Sequence, residues 1–252
     1  MKKKEKLKLI SSEKLAKDTV ELVLRNDYIS RQAEPGQFVH LALAHHTLRR
    51  PISIAETDQT AGTVTLLFKI VGEGTRLLAS LPVGTEIDAL GPNGNGFPIS
   101  KLKTGDSVLL VGGGVGVPPL YFLASALKKQ GISVQSVLGF QEKAAVFYEA
   151  AFQELGETQI VTNDGSYGHQ GFVTDVIKEN DSTVCYYSCG PLPMLAAVQK
   201  KLKHKQGYLS FEERMGCGIG ACYACVIPTK EETSYKKICQ DGPVFAASEV
   251  IL

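Results

Sequence analysis

Four cysteines, Cys217, Cys222, Cys225 and Cys239, stand at C-x4-C-x2-C-x13-C spacing in a glycine-rich stretch near the end of the chain. In a reducing compartment such clustering points to a metal and not to disulfides. The first two gaps match the plant-type [2Fe-2S] ferredoxin spacing. A structural zinc site usually pairs its cysteines in two short knuckles, which three ligands in one loop and a distant fourth fit poorly. The spacing therefore favours iron–sulfur over zinc. Four thiolates around two irons leave an anionic cluster, which needs N–H donors and a backbone free to wrap it closely, and Gly216, Gly218 and Gly220 permit that. The other two cysteines fall on or just past a predicted strand and are not expected to be ligands, with Cys185 read as a core residue.

A second chemistry lies in turns rich in arginine and glycine. In Arg49-Arg50-Pro51-Ile52-Ser53, a guanidinium fork suits a pyrophosphate, and Ser53 can hydrogen-bond a flavin ring nitrogen. Taken alone the stretch reads more readily as a strand-edge turn. Gly72-Glu73-Gly74-Thr75 opens a predicted helix whose free N–H groups favour phosphate. A threonine-capped helix without a ligand is the other reading. Further on, Val108-Leu109-Leu110-Val111 runs into Gly112-Gly113-Gly114-Val115-Gly116-Val117-Pro118-Pro119. Glycines at 112, 114 and 116 let backbone approach a dinucleotide, and the prolines suit the first turn of a helix. Pro119 takes the place of the last glycine of G-x-G-x-x-G, which disfavours a simple Rossmann dehydrogenase. Cys189-Gly190-Pro191-Leu192-Pro193-Met194 repeats the pattern near the last strand, with Cys189 either touching nicotinamide or an inert thiol in a tight turn.

These residues need elements to position them. The chain has 252 residues, a length suited to two domains with a short appendage. Up to about residue 101, short strands such as 36–43 and 62–71 alternate with turn signals, the pattern of a small antiparallel barrel interrupted by one helix over 75–81. From Gly105 onward, strands at 107–111, 132–138, 158–162 and 183–188 alternate with helical spacing at 119–130, 144–155, 172–179 and 193–203. That is the signature of a parallel sheet covered by helices. The expected division is 1–101 for a flavin-binding β-barrel, 102–207 for an α/β nucleotide-binding domain and 208–252 for a cluster-binding segment. Lys+Arg 27 against Asp+Glu 26 leaves a net charge of +1, which argues against an electrostatic nucleic-acid binder. The basic start lacks a signal-peptide core and no apolar run reaches membrane-spanning length, so a cytoplasmic, soluble protein is expected.

In their order, the Arg-Pro-x-Ser stretch, the glycine-rich strand-to-helix loop and Cys-Gly-Pro resemble the ferredoxin–NADP reductase superfamily. Ser210-Phe211-Glu212-Glu213-Arg214-Met215-Gly216-Cys217-Gly218-Ile219-Gly220-Ala221-Cys222 and Cys239-Gln240-Asp241-Gly242-Pro243-Val244-Phe245 more specifically resemble the electron-transfer subunits of B-type dihydroorotate dehydrogenase. The resemblance covers essentially the whole chain. It implies that Arg50, Pro51, Ile52, Ser53, Leu67, Phe68, Lys69, Gly74 and Thr75 bind FAD, and that Cys217, Cys222, Cys225 and Cys239 hold the cluster. It also implies an FMN-containing partner that oxidises dihydroorotate in pyrimidine synthesis, in a heterotetramer of two of each, with NAD+ as terminal acceptor. One departure stands out: many superfamily members carry an aromatic residue where this chain has Ile52.

Nicotinamide exchanges a hydride, the cluster takes single electrons, and a flavin does both. Each cofactor thus has a reason to be present, and no catalytic acid–base residue is expected. Gly139-Phe140-Gln141-Glu142-Lys143, after the second strand, offers no arginine for a 2′-phosphate, which favours NAD over NADP. Two other readings remain open: a related subunit serving a ferredoxin:NADP oxidoreductase or a hydrogenase, and a zinc-bearing binding module with no redox role.

Overall fold

The computed structural model describes residues 2–178, 182–230 and 235–252. Six strands, β1 (Lys3–Ala16), β2 (Thr19–Arg25), β3 (Phe38–Leu41), β4 (Arg50–Asp58), β5 (Thr63–Lys69) and β6 (Glu86–Asn93), close into an antiparallel barrel in the order β1-β2-β5-β4-β3-β6. Alternation drives the closure: Leu7 and Leu9 of β1 are fully buried between exposed lysines, and Leu22 and Leu24 of β2 meet them inside. Two short helices ride on the barrel, α1 (Asp27–Gln32) and α2 (Glu73–Ala79). α1 has no counterpart in the sequence reading. Asn26 caps it, its side chain accepting from the Ile29 N–H. α2 begins two residues before the expected 75–81, because Thr75 sits in its first turn and not at its start.

The second unit is a sheet ordered β10-β9-β8-β7-β11-β12-β15. Its elements are β7 (Ser107–Gly113), α3 (Val117–Lys129), β8 (Ser133–Phe140), α4 (Glu149–Leu155), β9 (Gly156–Thr162), β10 (His169–Gln170), α5 (Val173–Val176), β11 (Cys185–Cys189), α6 (Leu192–Lys201) and β12 (Gln206–Ser210). All pair in parallel. Pro118 and Pro119 occupy the first turn of α3, as expected. The helix expected over 144–155 is broken. A single 3-10 turn covers Lys143–Ala145 and α4 starts at Glu149, with Tyr148 left-handed (φ 61) and its hydroxyl donating to Glu21 on β2. A tertiary bond to the barrel overrides the local helical preference there. The helix expected over 172–179 shortens to Val173–Val176, and Glu179 lies outside the described residues.

The cysteine-rich end adds a hairpin, β13 (Val226–Pro228) with β14 (Tyr235–Lys237), and β15 (Val244–Ala246), which pairs antiparallel with β12 at the sheet edge. β12 itself spans the 207/208 division read from sequence. The end of the chain is therefore built into the sheet.

Three buried clusters hold these parts together. One fills the barrel. A second joins Ala55, Leu67 and Phe97 of the barrel unit to the buried face of α3 and to β7 and β8. The third joins Val198 of α6 and its C-cap Leu202, Phe38 of β3, and Met215, Cys225 and Cys239 of the cysteine-rich end.

Candidate functional site

Of the residues expected to bind flavin, Arg50, Gly74 and Thr75 come together at the first turn of α2. A Cβ built on Gly74 would fall 2.5 Å from Nε and 2.6 Å from Nη2 of Arg50, so the guanidinium lies directly on the glycine backbone. Arg50 is oriented by the Leu48 carbonyl, which accepts from Nη1, and by His46 Nδ1, 3.0 Å from Nη2. Residues 24 positions apart thus form one cationic, N–H-rich corner suited to a pyrophosphate. The Thr75 hydroxyl does not open onto this corner. It accepts from the Val71 and Gly72 N–H groups and donates to the Gly72 carbonyl, closing the loop. Leu67 (3% exposed) faces the α3 side, whereas Ile52 and Phe68 pack inside the barrel. These three face apolar clusters, leaving Pro51, Ser53 and Lys69 half-buried beside them.

The two glycine-rich loops expected to bind a dinucleotide meet at the reversal of strand order, where the chain leaves β7 toward β8 but leaves β11 toward β12 on the other side. Cys189 aligns with Gly112 across the two strands. A Cβ at Gly116 would stand 2.2 Å from the Cys189 carbonyl oxygen, and one at Gly113 would stand 2.5 Å from Met194 Sδ. Beside this junction opens a cleft of about 840 Å³, lined by Gly113, Gly114, Gly190 and Pro191 from the loops, by Thr19 and Lys69 from the barrel, and by Gly139, Phe140, Gln141 and Glu212. Of the predicted glycines, Gly114 and Gly190 line the cleft. Gly112 and Gly116 instead allow close packing, Gly112 against Val117, Leu120 and Leu138. Cys189 is fully buried behind Gly190, and burial, with Glu212 nearby, pushes its thiol well up. Sequence reading did not single out Thr19 or Glu212, since nothing local in either marks a cleft. Surrounding protein pushes the Glu212 carboxyl up to about 7, although the side chain stays open to the cleft.

The four cysteines of the spacing motif come together as two pairs. The Cys217 and Cys222 thiols face each other, with the Cys222 N–H donating to Cys217 Sγ at 3.3 Å and the Cys217 N–H to Cys222 Sγ at 3.4 Å. Cys225 and Cys239, both buried, form the second pair, and the Ile238 N–H donates to the Cys225 carbonyl. Burial raises the Cys217 thiol, but N–H donors from Ile219, Cys222 and Ala221 outweigh it and bring it down to about 6. Burial beside Cys225 lifts Cys239 to about 11. Gly218 (φ 68) and Gly220 (φ 83) take left-handed conformations that wrap the loop. Among the described residues, no three His, Cys, Asp or Glu side chains converge as a single ion would require. Two sulfur pairs in a cradle of N–H donors fit two irons and do not fit one zinc.

A closed flavin barrel, a dinucleotide cleft at a strand-order reversal and a paired-cysteine loop define a flavin and iron–sulfur reductase of the ferredoxin–NADP reductase type. Residues 6–97 match the oxidoreductase FAD-binding domain, and residues 212–251 match the iron-sulfur cluster binding domain of dihydroorotate dehydrogenase B. The chain is 52% identical over 258 residues to the dihydroorotate dehydrogenase B (NAD(+)) electron transfer subunit of Geobacillus sp. (strain WCH70), covering 100% of both chains. It is 48% identical to the subunit of the same name from Shouchella clausii (strain KSM-K16), covering 100% of this chain and 99% of the relative. A solved chain from work on flavin-based electron bifurcation in the NADH-dependent reduced ferredoxin-NADP oxidoreductase superposes with a TM-score of 0.88 at 29% identity, covering 97% of this chain and 89% of that one. The chain belongs to the family of dihydroorotate dehydrogenase B (NAD(+)) electron transfer subunits.

Proposed function

We propose that this chain carries electrons from an FMN-containing partner that oxidises dihydroorotate, through a [2Fe-2S] cluster and FAD, to NAD+, in cytoplasmic pyrimidine synthesis. When bound, the cluster handles single electrons, NAD+ takes a hydride, and FAD converts between the two. The observation that carries the reading is the convergence of three separate sites on one barrel: the Arg50–Gly74 corner, the cleft reaching Thr19 and Lys69, and the cysteine loop packed against β3.

Each residue then has a task. Arg50 and the backbone at Gly74 and Thr75 grip the FAD pyrophosphate, while Pro51, Ser53 and Lys69 edge the flavin. Leu67, Phe68 and Ile52 act by holding the strands that present this edge. Gly114 and Gly190 admit the NAD backbone, with Gly112, Gly116 and Cys189 holding the two loops together from behind. Cys217, Cys222, Cys225 and Cys239 would hold the cluster through their thiolates. Glycines 218 and 220 and the N–H groups of Ile219, Ala221 and Cys222 shield the thiolate charge.

The assembly we infer is a heterotetramer, two of each subunit. No helix among the described residues is long and apolar enough to cross a membrane. Its test is reconstitution. The chain alone, given dihydroorotate and NAD+, should form no orotate, and adding the FMN subunit should restore turnover. Robust orotate formation by the isolated chain would refute the relay, and a silent reconstituted pair would point to another partner.

A further inference from the structure

His40 is a physical anomaly. It lies mid-strand in β3, is fully buried, and neither ring nitrogen has a hydrogen-bond partner among the described residues. The Arg49 carbonyl lies near the ring without reaching hydrogen-bonding geometry. A neutral imidazole has one donor and one acceptor, and leaving either unpaired in a protein interior costs on the order of 1–3 kcal/mol. Native structures seldom leave such a group unpaired without a reason.

The direction of the side chain supplies one. Side chains alternate along β3: Val39 and Leu41 point into the barrel core, whereas Phe38 packs outward into the cluster that contains Cys225 and Cys239. His40 shares the outward face with Phe38. A Cβ built on Gly218 would fall 2.2 Å from His40 Nδ1 and 2.8 Å from Cε1, so the Nδ1 edge of the ring rests on the backbone between Cys217 and Ile219. The segment is seated firmly on this side of the barrel. Lys2 Nζ donates to the Cys239 carbonyl, Asn95 Nδ2 donates to the Asp241 carbonyl, and the Asn95 N–H donates to the Gly242 carbonyl. His40 is therefore a side chain of the flavin barrel aimed, unpartnered, at the loop that wraps the cluster.

We propose that His40 is a positioning residue that donates a ring N–H to a sulfur of the [2Fe-2S] cluster, tying the cluster to the flavin barrel and raising its reduction potential. The supporting chemistry is general. Cluster sulfurs are anionic acceptors, the reduced cluster carries one more negative charge, and a donor therefore stabilises the reduced form more. A neutral imidazole serves this role without placing a buried cation there. Gly218 follows from the same contact, since any side chain there would displace the ring.

The inference rests on the four cysteines holding the cluster, so the test first records the [2Fe-2S] electron paramagnetic resonance signal of the reduced full chain. Its absence would bring down the cluster reading and this proposal with it. With the signal present, midpoint potentials are compared for wild type, His40→Leu and His40→Asn, the last placing an amide N–H near the Nδ1 position. Removal of the donor in His40→Leu should make the cluster about tenfold harder to reduce, a shift of about 59 mV for a one-electron couple. His40→Asn should recover most of it. An exchangeable-proton coupling seen by electron–nuclear double resonance in wild type should vanish in His40→Leu. An unchanged midpoint in a His40→Leu chain with full iron and FAD would overturn the proposal. If His40→Leu loses its cluster, His40→Asn decides: retention with a near-wild-type midpoint supports the donor, and loss as in His40→Leu shows that only packing was removed.

Discussion

Replacing Gly74 by alanine should weaken FAD binding while leaving the fold as stable as before. The new methyl group would lie 2.5–2.8 Å from the Arg50 guanidinium, closer than atoms can approach, and the obstacle is the far end of a flexible side chain. Arg50 can swing aside at little cost, and Gly74 lies within α2, where alanine is the better helix former by up to about 1 kcal/mol. Folding stability should therefore hold or rise slightly. FAD, in contrast, loses the guanidinium from its grip. A hydrogen bond to a charged group contributes about 1.5–3 kcal/mol, so the FAD dissociation constant should rise about 10- to 150-fold. Arg50→Ala should produce a rise of the same size without any steric change. Because the two residues touch, the double variant should be no worse than the weaker single one, a non-additive cycle. The assay is fluorescence titration of the deflavinated chain with FAD, beside a denaturant melt. Unchanged FAD affinity in Arg50→Ala, or strictly additive effects in the cycle, would remove this corner from the flavin site.

Cys222→Ser should lose iron and the reduced-cluster signal yet keep FAD and NADH-dependent dye reduction, because the cysteine loop and the Arg50 corner are built from different elements; iron and flavin analysis of one preparation decides it. Gly116→Ala places a methyl group 2.2 Å from the Cys189 carbonyl, a backbone obstacle that cannot rotate away. Its stability should drop by about 1–3 kcal/mol with the KM for NADH raised, and a wild-type melt would refute the contact.

The sequence alone carried whatever depends on near neighbours. The apolar runs over 36–43 and 62–71, bounded by turn signals, announce barrel strands, Pro118 and Pro119 announce the start of α3, and the ligand spacing from Cys217 to Cys225 is a local count. Fold class and cofactor set were legible for that reason. Chain closure decided the rest. Arg50 meets Gly74, Gly116 meets Cys189, and His40 meets Gly218 only after barrel and sheet have formed, and no local pattern encodes those encounters. Side-chain direction is equally tertiary. Ile52 and Phe68 turn into the barrel because strand pairing sets which face is inside, and the Thr75 hydroxyl is taken up by its own loop. The break before α4 arises because Tyr148 reaches Glu21 on β2 of the barrel. Likewise β15 joins the sheet because β12 leaves an edge with unpaired backbone groups, which a short strand from the cysteine-rich end satisfies.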